Sequence, residues 1–396
     1  MPSDASSVDR RIPARPFLIV ILGSLVAIGP LSIDMYLPGL PEITRSLDAT
    51  AAAVQLSLTA CVAGLAVGQL IAGPLSDRLG RRRPLITGLV MYSGVSLLCA
   101  LAPTVLALTG LRFLQGLAGG AGIVIGRAVV RDLYSGAQAA KLFSSLMLVT
   151  GLAPILAPVL GAQLLKVTSW EGIFVVLAAL SAAIVTLAAI ALPETLPGER
   201  RDPGGNTLHT MRDLLTQRSF LGYALTAGLA FGALFAYISG SPFVLQEIYG
   251  LSPQAFSFAF GANGLGLVIG SQINARLVSL YGPAYLLRRA LLVIVVAAAA
   301  LVVVTSIDLG VWPVIACTFV VMSTLSFVMP NSTALALAEH GAVAGTASAL
   351  LGVTQFLIGG LAAPLVGIGG TGSALPMAVV MLSLAAGAVV VNRWLS

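Results

Sequence analysis

An aspartate and an arginine stand out in this sequence because nearly everything around them is apolar. Asp34 lies in SLVAIGPLSIDMYLPGLPEI, where no other charge occurs from Phe17 to Pro41, and Arg112 lies near the start of LRFLQGLAGGAGIVIGRAVVRDLY. An ionised side chain costs several kcal/mol in hydrocarbon, so such groups face a partner or a wet cavity and mark transport paths. Together they supply a switch: a carboxylate beside a guanidinium keeps its charge, and one desolvated without that partner takes up a proton. The expectation is that Asp34 carries a proton and that Arg112 is its electrostatic partner. At ~1.5 Å per residue, Asp34 falls roughly 10 Å to the outer side of the centre of its run and Arg112 near the centre of its own. The plainer alternatives are that Asp34 touches only the outer headgroups and that Arg112 ties helices together.

A second charged cluster, GPLSDRLGRRRPL, sets Asp77 among Arg78, Arg81, Arg82 and Arg83, with Gly73 and Gly80 allowing sharp turns. It reads as a tight connection of about ten residues between two apolar runs. Membrane orientation explains most of its arginines. Asp77 is different, and near Arg81 and the Arg131 and Asp132 pair it is expected to help latch an inner gate by salt bridges. In VTGLAPILAPVLGAQLL, Pro154 and Pro158 are flanked by Gly151 and Gly161. Each proline removes a backbone hydrogen bond and bends a helix, which fits a hinge or a seal. Gly116 with Gly120, and Gly122 with Gly126, let helices approach closely. Gln115 is a helix-bridging amide or a cavity group. Tyr36, Tyr237, Gln355 and Asn331, the last beside the helix-bending Pro330, are further groups expected to line a mostly apolar cavity, with Phe243 and Phe356 as aromatic neighbours.

No HExxH, GxSxG or Walker-type loop occurs. His209 and His340 lie in connections, and Cys61, Cys99 and Cys317 lie in apolar runs without CxxC spacing, where they read as packing groups. No catalytic site, metal site or cofactor is expected, and energy has to come from a gradient.

These residues need elements to hold them. Of 396 residues, 58% are apolar and 9% charged, against about 25% charged in soluble domains. The apolar runs last about 20 residues, the length of a helix across ~30 Å of hydrocarbon, whereas barrel strands alternate polarity over about ten. The class is an all-α polytopic membrane protein. Twelve spans are expected, at 17–38, 50–72, 84–101, 104–127, 140–165 and 169–192, then 219–239, 252–276, 286–305, 311–337, 343–366 and 373–394. The polar stretch LPETLPGERRDPGGNTLHTMRDLLTQR divides the chain into an N-terminal segment 1–16, a six-helix half 17–192, a linker 193–218 and a second half 219–396. GSQINARLVSLYGPAYLLRRA is a degenerate counterpart of the charged cluster, in which Gly270 and Asn274 answer to Gly73 and Asp77. Of 21 Lys and Arg residues, Arg45 and Lys166 fall on the outer segments and Arg112 within a span. The rest fall on inner segments, which puts both termini and the linker in the cytoplasm. The pI near 9.5 therefore reflects orientation in a bilayer and not nucleic acid. The first run continues without a small-residue cleavage site and is read as a retained span.

The whole chain resembles the major facilitator superfamily, its twelve-span drug:proton antiporters, and most closely the Bcr/CflA group of bacterial drug-resistance exporters. SIDMYLPGLPEI is similar to that group's first-span signature, whose Asp is proton-linked. GPLSDRLGRRRPL is similar to the superfamily's loop between spans two and three, and LRFLQGLAGGAG to the fourth-span motif of proton-driven members, whose Arg corresponds to Arg112. GLAPILAPVLG is similar to the antiporter motif of the fifth span, with Ala157 and Pro158 where the wider pattern has Gly-Pro and Ala162 where it has a second Gly. The resemblance implies a multidrug efflux transporter of the bacterial inner membrane that exchanges protons for a small amphipathic compound by alternating access. A monomer suffices for this. A member of the same fold moving a sugar, amino acid or siderophore is the alternative, with a membrane-embedded enzyme or a channel further off.

Overall fold

Hydrocarbon offers no partner to a peptide N–H or carbonyl, so a chain this apolar has to close its backbone hydrogen bonds within helices. The computed structural model describes residues 15–134, 136–196, 207–338, 344–370 and 372–395, and among these there is no strand. His340 lies outside the described residues, as do most of segment 1–16, part of linker 193–218 and the side chains of Arg131 and His209. The helices are α1 (Arg15–Asp34), α2 (Leu40–Ser46), α3 (Ala51–Leu79), α4 (Arg82–Ala100), α5 (Val105–Leu133), α6 (Gly136–Leu164) and α7 (Trp170–Ala191). A short α8 (Thr207–Thr216) precedes α9 (Arg218–Pro242), α10 (Pro253–Tyr281), α11 (Pro283–Ser306), α12 (Val311–Leu337), α13 (Ala344–Ile368) and α14 (Leu375–Leu395). Among the described residues 11 helices are long and apolar enough to cross a bilayer. To these α6 adds another helix of 29 residues with an apolar Gly151–Leu164 portion.

The expected spans and the helices coincide closely, with one informative difference. The GPLSDRL stretch is not a loop: α3 runs on to Leu79, and the connection to α4 is only Gly80 and Arg81. Gly80 has φ 89, a conformation that a side chain would strain, so glycine is what permits the reversal. Asp77, in the last turn of α3, pairs with Arg81 on the far side of the Gly80 reversal and ties the helix end to the start of α4.

Helices α1 and α3 to α7 pack among themselves, as α9 to α14 do, and the two bundles touch mainly through α3 against α13 and α6 against α10. The closest approach is α3 on α5. A Cβ on Gly64 or Gly68 would collide with the carbonyls of Phe113 or Leu117, and one on Gly116 with the carbonyl of Cys61. In the second bundle, a Cβ on Gly266 of α10 would meet the side chains of Ser323 and Phe319 of α12, and one on Gly270 the Ser326 hydroxyl and the Ser323 carbonyl. Gly270 is therefore the counterpart of Gly68 and not of Gly73, where an added Cβ would come no nearer than 3.7 Å to the Val124 side chain. Basic residues had drawn the register toward the helix end, while the geometry that the two bundles share is the close contact in the middle of the helices. Gly122 and Gly126 serve another face of α5, against Leu25 of α1.

Gly116→Leu is expected to abolish a monodisperse, folded protein in detergent, because backbone atoms cannot yield to the new side chain. Gly94→Leu, at an α4 position with nothing within 4 Å of its Cβ, should leave size-exclusion profile and melting temperature near the parent values.

Candidate functional site

Between the bundles lies a cavity of about 600 Å³, walled by α1, α3 and α5 on one side and α9 and α13 on the other. The first bundle contributes Asp34, Gln69 and Arg127 with aliphatic neighbours, and the second contributes Phe231, Phe235, Phe356, Gln355 and Ser348. Phe231 stacks on Phe235 at 5.8 Å and meets Phe356 edge-on at 5.5 Å, so that wall is an aromatic surface. Arg127 and Ser348, toward the end of the bundle that carries Arg81, are exposed.

Asp34 is 5% exposed, at the last residue of α1, on the cavity wall. Its carboxylate makes no hydrogen bond or ion pair among the described residues. The expected pairing with Arg112 is thus absent from this conformation. The reason is helical phase. Arg112, fully buried, donates from one Nη to the carbonyl of Ser32 at 2.8 Å and from the other to Gln115 Oε1 at 2.5 Å. Ser32 and Asp34 are two residues apart, roughly 200° round a helix. Arg112 therefore grips the inner side of α1 while Asp34 projects from the cavity side. A cation on one of the last carbonyls of a helix both satisfies that carbonyl and complements the helix dipole.

The charge of Arg112 is otherwise met by π faces, with Tyr36 at 4.7 Å and Phe174 at 5.6 Å from the guanidinium carbon. Gln115 passes the chain on to Ser96 at 2.7 Å, Tyr36 bonds Ser57 at 3.0 Å, and Ser32 bonds Tyr92 at 2.5 Å. Tyr36 and Gln115 are thereby members of a core network inside the first bundle: Tyr36 does not line the cavity, contrary to expectation, and Gln115 is the helix-bridging amide of its two alternatives.

Two other expected cavity groups are corrected in the same way. Tyr237 accepts from Asn263 Nδ2 at 2.5 Å, with Thr318 also beside that amide at 3.3 Å, and its ring stacks on Phe260 at 5.4 Å. Asn331 donates to Asn274 at 2.7 Å and to the Phe327 carbonyl at 2.8 Å. Both face the interior of the second bundle, where buried amides and hydroxyls find one another because lipid provides nothing. Of the five groups, Gln355 alone reaches the cavity, and Gln69 and Arg127 join it as residues that the sequence did not single out.

At the Arg81 end, the charged cluster forms a knot within one bundle. Arg81 bonds Asp77 at 2.5 Å, Asp132 at 2.8 Å and Ser76 at 2.8 Å. Burial works against its charge, and the bonds and charges of Asp132 and Asp77 outweigh it, lifting the pKa above the ordinary arginine value. Glu194, just past α7, accepts the N–H groups of Arg81 at 2.8 Å and Arg82 at 3.2 Å, capping α4, while Thr195 bonds Asp132 at 3.1 Å. The knot ties α3, α4, α5 and the start of the linker, and the expected salt bridges of Arg81 with Asp77 and Asp132 lie within the first bundle. Glu194 and Thr195 had looked like linker residues. Gly73 accepts the Ser76 hydroxyl at 2.8 Å, and Arg78 is exposed.

Helix α6 stands at the seam. Gly161 packs directly on the Met35 carbonyl of the α1 to α2 junction, and Pro158 accepts the Ser257 hydroxyl of α10 at 2.9 Å. Pro154 and Gly151 lie half-buried on the same helix, and a Cβ added at Gly151 would stand 3.9 Å from the Val268 side chain of α10.

The family model described as Major Facilitator Superfamily matches residues 20–364. The chain is 46% identical over 368 residues to the "Uncharacterized MFS-type transporter YdgK" of Bacillus subtilis (strain 168), covering 92% of this chain and 91% of that one. It is 33% identical over 361 residues to a "Bicyclomycin resistance protein homolog" of Haemophilus influenzae, covering 91% of each. A shorter match, 34% over 227 residues and 57% of this chain against 58% of the other, is to the multidrug resistance protein MdtL of Escherichia fergusonii. Among solved structures, a variant of the nucleoside transporter NupG matches with TM-score 0.77 at 14% identity over 95% of this chain and 98% of that one. A bacterial homologue of the human lysosomal transporter Spinster, in an inward-facing and occupied conformation, matches with TM-score 0.73 at 15% identity over 97% and 95%. At those identities the structures speak for the fold alone.

Removing one partner from a buried pair costs about 3–5 kcal/mol. Asp132→Ala, at a carboxylate whose side chain is 14% exposed, should therefore lower the melting temperature in detergent clearly more than Asp77→Ala, at one that is 51% exposed. Equal shifts in differential scanning fluorimetry would contradict the knot.

Proposed function

The chain belongs to the major facilitator superfamily and is a multi-pass membrane transporter, and we propose that it is a proton-coupled antiporter that exports small amphipathic compounds, drugs among them. The observation that carries the reading is the Asp34 carboxylate, 5% exposed, without hydrogen bond or ion pair among the described residues, on the wall of the cavity between the bundles. A carboxylate in that position exchanges a proton with whichever side the cavity faces, which is what coupling requires.

The concentration of arginines at the Arg81 end makes that end cytoplasmic in a bacterial plasma membrane, with both termini on the same side. The cavity then opens inward, and the contacts of α3 with α13 and of α6 with α10 close the outside. Substrate enters from the cytoplasm and rests between the Phe231, Phe235 and Phe356 wall and Asp34, whose proton has passed to the cytoplasm. Rocking of the bundles exposes the site outward, where a proton from outside neutralises Asp34 and the substrate leaves. Arg112 acts on this cycle by fixing where α1 ends, and so where Asp34 projects. Pro154 and Pro158 allow α6 to flex at the seam, and the Arg81 knot keeps the first bundle rigid as it moves.

The lining supports an amphipathic cargo: an aromatic wall with a few hydrogen-bonding groups, in a volume within the ~300–1,000 Å³ of small-molecule sites. The names of the bicyclomycin and multidrug resistance relatives point the same way. The proton gradient is the energy source, with no cofactor, and the chain works as a monomer in the bilayer. In proteoliposomes screened with bicyclomycin and lipophilic cationic dyes, Asp34→Asn should reduce uphill transport driven by a pH gradient to background while leaving downhill exchange in place. Undiminished uphill transport by that variant would reject Asp34 as the carrier.

A further inference from the structure

The seam between the bundles carries one ion pair among the described residues, Arg45 with Glu247 at 3.7 Å, and its hydrogen bonds are all of one kind. Among the described residues five side chains hydrogen-bond across it, each donating to a backbone carbonyl. Gln55 bonds Ser239 at 3.0 Å, Thr59 bonds Gly360 at 2.8 Å, and Gln246 bonds Pro38 at 3.3 Å. Gln254 bonds Ala162 at 2.8 Å and Ser257 bonds Pro158 at 2.9 Å. All five lie on the side of the cavity away from Arg81.

A carbonyl within a helix is normally taken by the N–H four residues on. Three of these five have lost that donor, each for a local reason. Four residues after Gly360 comes Pro364, inside α13, which has no N–H. Ser239 would be served by Phe243, whose N–H goes to Gly240 instead, where α9 passes into a π-helical turn at Phe243–Ile248. Ala162 would be served by Lys166, whose N–H goes to Gln163 at 3.2 Å as α6 ends.

We propose that Pro364 creates the acceptor on which Thr59 closes, so that an irregularity in α13 holds the outer seam shut. The same device, with the π-helical turn in place of proline, gives Gln55 its acceptor on α9. The inference rests on the alternating-access reading above. A contact shifts a two-state equilibrium only by the free energy it contributes to one state and not the other. A carbonyl already paired in its own helix gains little from Thr59, whereas an orphaned carbonyl gains a bond that exists only in the closed seam. Glycine at 360 keeps the approach open, since a Cβ there would stand 3.2 Å from Thr59 Cγ2. Proline in α13 is thus more than a kink: it makes the closed state dependent on a residue of the other bundle.

The test is a double-mutant cycle between two side chains that act through one carbonyl. Spin labels on Pro103→Cys and Gly372→Cys, in exposed loops of the two bundles at this end, report the opening of the seam by distance measurement in detergent, in a Cys317→Ala background. Thr59→Val should raise the ratio of open to closed distances roughly three-fold, the size of a single side-chain bond between membrane helices. Pro364→Ala, which restores the N–H with Thr59 intact, should raise it to a similar extent, and the double variant should rise no further. Thr59→Ser keeps the hydroxyl and should match the parent. An unchanged distribution in Pro364→Ala, or a double variant whose effect is the product of the single ones, would overturn the proposal. The distances are read without transport, so intact coupling in a protein that fails to export under a pH gradient would count against the proton-coupled reading alone.

Discussion

A hydrocarbon interior gives a peptide group nothing to bond to, and the consequences run through this molecule from its helices to its seam. Regular helices meet the demand for most of the chain. At three places where regularity fails, the end of α1, the π-helical turn after α9 and the residue four before Pro364, a side chain from another helix takes a carbonyl. The clamp of Arg112 on Ser32 is the case with the greatest reach. It keeps a cation inside the first bundle without a carboxylate partner, and it leaves Asp34 to face the cavity alone.

This arrangement separates two tasks that the sequence had joined. Asp34 and Arg112 looked like an ion pair because they are the isolated charges of two apolar runs. The structure gives Arg112 a carbonyl, an amide and two aromatic rings, and gives Asp34 a cavity wall. An ion pair would lock both groups. A carboxylate facing a cavity, carried on a helix end that a neighbouring arginine holds in place, is free to change its protonation while its position stays fixed.

Hydropathy made the spans legible, and glycine spacing made the α3 to α5 contact legible, because both depend on residue type along a single helix. What stayed hidden was phase. Gln115, Tyr237 and Asn331 look no different in sequence from Gln355, yet three face the interior of their own bundle and one faces the cavity, and neighbouring helices decide which. Gln55 and Gln69 are the amides of the second span, and each has a place, at the seam and at the cavity, that only packing reveals. Glu194 belongs by sequence to the polar stretch between the halves, whereas its carboxylate caps α4. Length was the other blind spot: α3 outlasts its apolar run and continues to Leu79, with Asp77 of its last turn held by Arg81 across the Gly80 reversal.

The central claim is that Asp34 exchanges a proton with the cavity. A hydrophobic carbodiimide reacts with carboxylates in their protonated form, so modification of Asp34 in native membranes, read by mass spectrometry across a pH series, addresses it directly. The account predicts that Asp34 is modified, that the rate falls steadily as pH rises, and that a ligand occupying the cavity slows it. Absence of modification at every pH, or a rate that does not change with pH, would contradict it.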